Sequence, residues 1–216
     1  VAACIKQINP RVQVIGVQAE GANAIAQSFR THGYVQTDSA ATIADGIAVK
    51  EPGENTFELC RKYVDKIVAV SDDEIAAAIL TLIEKQKLVA EGAGASAVAA
   101  AMFGHLPIEG KKTVCLVSGG NIDVNMLNRI INRGLAKNGR LCQLELELLD
   151  KPGMLQGVLK IVADEGGNIL SVNHERVSDS TDINACNLHL ELETLNHEHI
   201  ERIKDALTRA GYKIRG

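Results

Sequence analysis

The apolar positions in the first 138 residues form short β-branched runs that alternate with helical stripes. Residues 12–17, 67–70 and 114–117 are such runs, and they are typical of strands buried on both faces. Ser71 followed by Glu74 forms a capping box, which predicts the start of a helix. This alternation predicts an α/β domain with a largely parallel sheet. The helical patterns lie at residues 23–29, 71–87, 93–103 and 126–137.

The pattern changes near residue 139, after the break at Asn138-Gly139. Residues 141–149 alternate between apolar and polar side chains, as in a strand with one exposed face. After a turn at residues 150–153, the order of elements is β-α-β-β-α-β, the ferredoxin-like split motif. We therefore predict two domains, residues 1–138 and 139–216. The later elements are a helix at 155–165, strands at 169–177 and 183–192 around a turn at 179–182, a helix marked by Ile200, Ile203 and Leu207, and a last strand at 212–214.

Composition excludes some classes of partner. Aromatic residues make up only 3% of the chain, which argues against a protein that stacks single-stranded nucleic acid. The net charge of -4 disfavours a phosphate backbone as partner. No apolar run approaches the roughly 18–20 residues that a membrane-spanning helix needs. We therefore expect no nucleic-acid partner and no membrane association.

The cysteines and the first residues bear on cellular context. Five cysteines are widely spaced and form no C-x-x-C pair, so we expect reduced thiols and a cytoplasmic protein. The chain opens in an apolar helical pattern at residues 1–6 without a capping residue. This start indicates a fragment of a longer protein.

Several short motifs contain candidate ligand-binding residues. The third predicted strand is followed by Ser118-Gly119-Gly120-Asn121, at the strand end where open α/β sheets bind ligands. The Ser118 hydroxyl could hydrogen-bond a ring nitrogen of a cofactor there. A tight turn would explain the same glycines. The acids of the other motifs also have ordinary explanations: Asp45 as a turn residue and Glu91 as a helix cap. Glu20, a single carboxylate, is weak evidence for a cation site.

Taken together, the motifs resemble the threonine/serine dehydratase and serine racemase family of pyridoxal-phosphate enzymes. Their order and spacing agree with that family over residues 1 to about 135, and the segments 150–155 and 166–169 resemble an ACT domain. The resemblance implies part of a fold-type II, tryptophan-synthase-β-like domain followed by a ferredoxin-like ACT domain, as in single-ACT threonine dehydratases. The motifs are Gly16-Val17-Gln18-Ala19-Glu20, Thr42-Ile43-Ala44-Asp45-Gly46, Glu91-Gly92-Ala93-Gly94-Ala95 and Ser118-Gly119-Gly120-Asn121.

The resemblance implies a reaction and a cofactor. These enzymes bind pyridoxal phosphate on a Schiff-base lysine and eliminate the β-hydroxyl of L-threonine, which yields 2-oxobutanoate and ammonia. Ser118 corresponds to the serine that contacts the pyridine nitrogen. A neutral hydroxyl leaves the ring a weaker electron sink than a carboxylate would, which suits rapid β-elimination.

The resemblance also assigns further residues. Gly119, Gly120 and Asn121 belong to the cofactor motif with Ser118, Gly46 is a backbone contact near the cofactor, and Glu91 is an active-site acid. Glu20 and the Ala24 carbonyl match a divalent-cation site of the racemase branch. Ala26 stands where that site has an acidic ligand, so the metal site is incomplete.

Two parts of the family's active site are missing from these 216 residues. Neither the serine-x-lysine-x-arginine-glycine type motif nor the glycine-run phosphate loop occurs. In the family the loop comes directly before a segment like Val1-Ala2-Ala3. Without the lysine and the loop amides, we expect the chain alone to be inactive.

The ACT segment implies a second ligand site. Asp150, Gly153 and Asn168 match the residues that hold an amino-acid effector across a dimer interface, so we expect a homo-oligomer. Helix capping by Asp150 and a left-handed turn at Asn168 are the alternatives. His174 and Arg176 share one strand face, which we interpret as solvated. The pair His197 and His199 lacks metal-binding helical spacing and is expected at the surface.

Other functions remain open at this point. A serine dehydratase or racemase, with L-serine as substrate, fits the same motifs. A non-catalytic amino-acid-sensing module is the alternative from another class. The presence or absence of the lysine motif upstream of Val1 would distinguish an enzyme from such a module.

Overall fold

The computed structural model describes residues 1–176 and 184–215 of the chain. Two compact units are present, Val1–Ile130 and Ile131–Gly216. The turn predicted at residues 179–182 lies outside the described residues, as do the predicted strand ends at Val177 and Ile183.

The first unit is built on two parallel strands, β1 (Ile15–Ala19) and β2 (Lys66–Val70), which pair with Val17 opposite Val68. Both strands were predicted, although β1 lies further along the chain than residues 12–17. The helices of this unit are α1 (Ala2–Ile8), α2 (Ala24–Thr31), α3 (Glu54–Tyr63), α4 (Asp72–Thr81) and α5 (Gly92–Met102). The next helix, α6 (Val124–Lys137), begins in the first unit and ends in the second.

The start of α4 confirms the capping box. The Ser71 Oγ accepts a hydrogen bond from the Glu74 amide at 3.3 Å, and the Glu74 carboxylate accepts one from the Ser71 amide at 2.8 Å. The helix continues into one π-helical turn at Leu82–Gln86. Lys87 ends it with a left-handed φ of 57°. Both ends of the predicted segment 71–87 are therefore correct, and the π turn is the feature that the pattern did not show.

The third predicted strand of this unit is wrong. Residues 114–117 belong to no sheet, and Val114 and Leu116 are 93% and 62% exposed. Cys115 and Val117 are half-buried, so the alternation along this segment is that of one packed side and one open side. A strand needs a hydrogen-bonded neighbour, and among the described residues only β1 and β2 pair in this unit. The expected larger parallel sheet is a two-stranded one here.

Small side chains allow α5 to pack closely. Ala95, Ala99 and Ala100 are fully buried, and α5 contacts α4 and both strands. Ile75 and Ile79 of α4 are also fully buried, as their helical spacing predicts. The core of the first unit is therefore formed by α4, α5 and the strands.

The second unit has the predicted βαββαβ order. The elements are β3 (Leu141–Leu149), α7 (Met154–Asp164), β4 (Asn168–Glu175), β5 (Ala185–Glu193), α8 (His197–Arg209) and β6 (Lys213–Arg215). The four-stranded antiparallel sheet has the order β4-β5-β3-β6, and Leu146 faces Leu188 across the central pair. One face is covered by the helices, with a core that includes Leu188, Val158 and Ile203.

His199 is not the surface residue that the sequence suggested. It is only 1% exposed, and its Nδ1 accepts from the Leu195 amide at 3.0 Å while its Nε2 lies 2.9 Å from the Glu165 carbonyl oxygen. Both contacts are satisfied when the hydrogen is on Nε2. His197 is exposed as expected, with Nε2 at 3.0 Å from the Lys137 carbonyl oxygen.

Across residues 1–176 and 184–215, no helix has the length and apolar character needed to cross a membrane. All five cysteines are free.

Candidate functional site

Three predicted motifs meet in the first unit at the beginning of α5. The Glu91 amide donates to the Gly119 carbonyl oxygen at 3.1 Å, which joins the start of α5 to the loop at residues 118–121. A Cβ at Gly92 would lie 2.6 Å from the Ile43 carbonyl oxygen, and a Cβ at Gly94 would overlap the Ser118 carbonyl oxygen. The two glycines thus allow close packing on both sides, as the sequence suggested for them.

The Glu91 carboxylate lies between two glycines of the other motifs. A Cβ at Gly46 would be 3.3 Å from Glu91 Oε1, and a Cβ at Gly119 would overlap the carboxylate. Gly119 also has a left-handed φ of 76°, so it needs glycine for two reasons. Glu91 occupies the N-cap position of α5, but its side chain makes no capping hydrogen bond. The capping explanation of Glu91 therefore fails, and its carboxylate lies close to Gly46 and Gly119.

The loop that carries Gly46 is fixed by the start of α4. The two carboxylate oxygens of Asp72 accept hydrogen bonds from the Thr42 hydroxyl at 2.5 Å and from the Ile43 amide at 3.1 Å. Asp45 opens a 3-10 turn and accepts from the Gly46 amide at 2.8 Å. Asp45 is a turn residue, as predicted, whereas no local pattern indicated the role of Asp72.

Ser118 lies in the exposed loop at residues 118–121. The residue is exposed, and no described residue hydrogen-bonds to its hydroxyl. Gly120 and Asn121 are exposed beside it. The Ser118 hydroxyl, the Asn121 amide and the Glu91 carboxylate are therefore the polar groups of the predicted motifs that this site offers to a ligand.

The cation site implied by resemblance gains no support. Glu20 is exposed in a 3-10 turn, and the Ala24 carbonyl oxygen accepts from the Ser28 hydroxyl at 2.8 Å. The Ala26 amide, where the racemase branch has an acid, donates to Gln18 at 2.7 Å. In the described part of the chain, Glu20 belongs to no cluster of three ligand side chains.

The predicted effector residues lie at opposite ends of the sheet in the second unit. Asp150 follows the end of β3, where Leu149 is opposite Ala185, and Asn168 is opposite Glu193 at the other end of β5. Gly153 has a φ of 92° and begins α7. One copy of the unit therefore cannot bring Asn168 to a ligand held at Asp150 and Gly153.

A polar cluster beside Asp150 was not predicted. His174 Nε2 lies 2.9 Å from Cys186 Sγ, and one ligand atom of each of Asp150, His174 and Cys186 lies within 4.8 Å of the others. Arg176 forms an ion pair with Asp150 at 3.2 Å. Arg176 is exposed as expected, but His174 is half-buried against a thiol rather than solvated. The three residues are far apart in the sequence, so no local pattern could have revealed them.

Comparison with known families assigns the chain a pyridoxal-phosphate-dependent enzyme domain followed by an ACT domain. The sequence profile of the pyridoxal-phosphate dependent enzymes matches residues 1–120, and that of the ACT domain matches residues 138–211. Because the first match covers more than half of the chain, the chain belongs to the pyridoxal-phosphate-dependent enzyme family.

Several individual proteins within this family are similar to the chain. The chain is 49% identical over 215 residues to the L-threonine ammonia-lyase of Thermotoga maritima, covering 100% of this chain and 53% of that protein. It resembles the processed form of threonine deaminase isoform 2 from Solanum lycopersicum, with a TM-score of 0.56 and 34% identity over 60% of this chain and 38% of that one. It also resembles maize serine racemase, with a TM-score of 0.54 and 31% identity over 61% of this chain and 43% of that one. The chain thus spans about half the length of the curated relatives it matches.

Proposed function

We propose that this chain is part of an L-threonine ammonia-lyase, a cytoplasmic enzyme that converts L-threonine to 2-oxobutanoate and ammonia with pyridoxal phosphate. The convergence of Gly46, Glu91 and the loop at residues 118–121 supports the proposal most directly. The 49% identity to the Thermotoga maritima enzyme supports threonine as the substrate.

The residues present fit the ring of pyridoxal phosphate. Gly46 and Gly119 carry no side chain where the Glu91 carboxylate lies, and the Ser118 hydroxyl is exposed with no partner among the described residues. The chain has neither the glycine-run phosphate loop nor the lysine motif of the family. We propose that it supplies the contacts to the ring and that another part of the enzyme holds the phosphate and the aldehyde carbon.

The side chains of this site have separate tasks. When bound, pyridoxal phosphate supplies an electron sink for the negative charge that develops on the substrate. The Ser118 hydroxyl would donate a hydrogen bond to the pyridine nitrogen without giving it a full proton, because a hydroxyl is a much weaker acid than a carboxylic acid. The Glu91 carboxylate, at the start of α5 where the Glu91 amide donates to the Gly119 carbonyl oxygen, would serve as a hydrogen-bond acceptor.

We also propose that the second unit binds an amino-acid effector between two copies of the chain. The edge strand β4 pairs only with β5 among the described residues, and Leu170 and Val172 on it are exposed. Antiparallel pairing of two β4 strands would place Asn168 of one copy at the Glu175 end of the other. That is the end of the sheet near Asp150 and Gly153, so pairing would complete the site.

An assay of the complete protein that carries these 216 residues tests the enzymatic proposal. We expect 2-oxobutanoate from L-threonine with a higher kcat/KM than for pyruvate from L-serine, and no formation of D-serine. Preferred use of L-serine, or racemisation, would instead identify a serine dehydratase or racemase. A complete protein that acts on neither amino acid would contradict the enzymatic proposal.

The 216-residue chain alone provides the control. It should release no keto acid, and borohydride reduction after mixing with pyridoxal phosphate should leave pyridoxyl groups scattered over surface lysines. A stoichiometric modification at one lysine, located by mass spectrometry, would show that the chain contains the cofactor lysine after all.

A further inference from the structure

The polar cluster at residues 150, 174 and 186 is assembled by three strands of the second unit. Cys186 is the second residue of β5 and lies opposite Leu148 of β3, while His174 of β4 lies opposite Leu188. Leu148, Cys186 and Leu188 all belong to the core that the helices cover. The register of the sheet therefore brings the thiol and the imidazole together on the helix-covered face, with Asp150 just beyond the end of β3.

We propose that Asp150, His174 and Cys186 form a binding site for zinc or a divalent cation of similar softness. Thiolate, imidazole and carboxylate are the three side-chain ligand types that Zn²⁺ accepts in proteins, and a site with three protein ligands keeps the fourth position open. This site goes beyond the proposed enzymatic function and does not depend on it.

The distances suit a tetrahedral ion. Zinc–ligand bonds of about 2.0–2.3 Å place tetrahedral ligand atoms about 3.3–3.6 Å apart. His174 Nε2 and Cys186 Sγ are now 2.9 Å apart, and all three ligand atoms lie within 4.8 Å of one another. The imidazole and thiol need to separate by several tenths of an ångström, and the carboxylate needs to approach them.

The three ligand residues differ in their exposure to solvent. Cys186 is 1% exposed, His174 is half-buried and Asp150 is exposed, so an ion can enter from the Asp150 side while the thiolate is shielded from solvent. Burial raises the pKa of the Cys186 thiol, the Asp150 charge raises it further, and Arg176 opposes this. Cysteine binds a metal as the thiolate, so a cation bound here would release the thiol proton.

One contact competes with the ion. Arg176 pairs with Asp150 at 3.2 Å, and this exposed ion pair must open before the carboxylate can turn toward a metal. Exposed pairs contribute little, typically about 0.2–1 kcal/mol. Removing the guanidinium should therefore strengthen metal binding, by about 1.4-fold to fivefold. A merely structural role for the cluster predicts no such gain.

Cobalt(II) titration of the reduced 216-residue chain tests the site without any amino acid present. We expect one equivalent to give a thiolate-to-cobalt charge-transfer band and the intense visible bands of four-coordinate cobalt, both abolished by zinc. Cys186→Ser should eliminate the charge-transfer band, and His174→Gln and Asp150→Asn should each weaken binding by about tenfold to a hundredfold or more, since loss of even an indirect metal contact costs that much. Cys142→Ser, at a half-buried cysteine on β3, is the matched control and should bind as the unaltered chain does.

Several outcomes would overturn the proposal. They are the absence of a charge-transfer band, its survival in Cys186→Ser, its loss in Cys142→Ser, or equal or weaker cobalt binding in Arg176→Ala. Arg176→Ala changes an exposed side chain, so this measurement remains decisive even if Cys186→Ser fails to fold. Failure of cobalt binding leaves the effector proposal standing, because that proposal is tested by amino acids alone.

Discussion

Individual atoms at the start of α5 set the spacing of the candidate cofactor site. Gly94 illustrates the constraint, because a methyl group there would overlap the Ser118 carbonyl oxygen and lie 2.8 Å from the Ser118 carbonyl carbon. The overlap is with backbone rather than with a flexible side chain, so the loop itself would have to move.

Gly94→Ala should therefore destabilise the first unit by about 1–3 kcal/mol, the usual cost of overpacking a well-filled interior. Thermal or urea unfolding followed by circular dichroism measures the effect. Gly33→Ala is the control, since the nearest atom to its added methyl would be 3.8 Å away. Equal stability of the two variants would mean that the loop at residues 118–121 does not pack on α5 as described.

Ser118 is the residue whose substitution bears most directly on cofactor binding. In the complete enzyme, Ser118→Ala should weaken cofactor binding by about 0.5–1.5 kcal/mol, the net contribution of one neutral hydrogen bond, and should lower turnover while leaving the fold intact. The Kd for pyridoxal phosphate and the absorbance of the bound cofactor measure this. Unchanged kinetics together with an unchanged cofactor spectrum would reject Ser118 as the partner of the pyridine nitrogen.

Residue-scale prediction from the sequence succeeded where local chemistry decides the outcome. Ser71 and Glu74 form their capping box because both partners lie within one helical turn. His199 could not be assigned in this way, because its partners at Leu195 and Glu165 are brought to it only when α8 packs. The same holds for the contact between His174 and Cys186.

At the scale of the element, alternation predicted β3 with its observed bounds, Leu141–Leu149. The pattern was clear because one face of this strand is buried under helices and the other is open to solvent. The segment at residues 114–117, Val-Cys-Leu-Val, is as apolar as a buried strand but forms no strand. Whether this segment becomes a strand depends on a neighbouring strand that can pair with it, and the pattern of its own side chains does not show whether one is present.

The short strand β6 is held to β3 by charge as well as by backbone pairing. The Glu147 carboxylate accepts from Arg215 Nε at 3.0 Å and from Lys213 Nζ at 3.3 Å. These two partners, Arg215 first, hold the pKa of Glu147 below its usual range despite a small opposing effect of burial. The folded state therefore binds this proton more weakly than the unfolded chain does.

The ion pairs of Glu147 therefore stabilise the folded state at any pH above the ordinary pKa of glutamate, about 4.3. This stabilisation is lost as the pH falls through the lower pKa of Glu147 in the folded state. Glu147→Gln should lower stability at pH 7 and make much less difference in acid. Urea unfolding of the unaltered chain and of Glu147→Gln, at pH 7 and in acid, measures the difference in their free energies of unfolding. Glu191→Gln is the control, because Glu191 lies on the same sheet face and forms no ion pair in the described part of the chain. A gap of the same size at both pH values would contradict the charge interaction.

At the scale of the whole molecule, the second unit should pair with a second copy and bind a branched-chain amino acid at the seam. Isoleucine or valine is the favoured ligand by analogy with feedback by branched-chain products. Binding stabilises the folded state by RT ln(1 + [L]/Kd), about 2.7 kcal/mol at a hundredfold excess over Kd. Thermal melts of the 216-residue chain with each amino acid measure the shift, and sedimentation measures the assembly.

Asn168→Ala should abolish the shift, because the amide that would cross to the other copy is removed. A chain that stays monomeric at high concentration and whose melt no amino acid shifts would reject the sensing proposal. If the chain dimerises but no amino acid shifts its melt, the pairing of two β4 strands still stands and only the effector site is rejected.

The position of β3 in the sheet has a consequence for how the chain matures. This strand comes first in the second unit yet lies between its two latest strands, β5 and β6, and the contact of Glu147 with Arg215 closes a loop of 68 residues. During synthesis on the ribosome, β3 emerges long before either neighbour, with its apolar face uncovered. Long-range pairing of this kind is slow and leaves strand edges exposed. We therefore expect the second unit to be the part of the nascent chain that most depends on chaperones until Arg215 has left the exit tunnel.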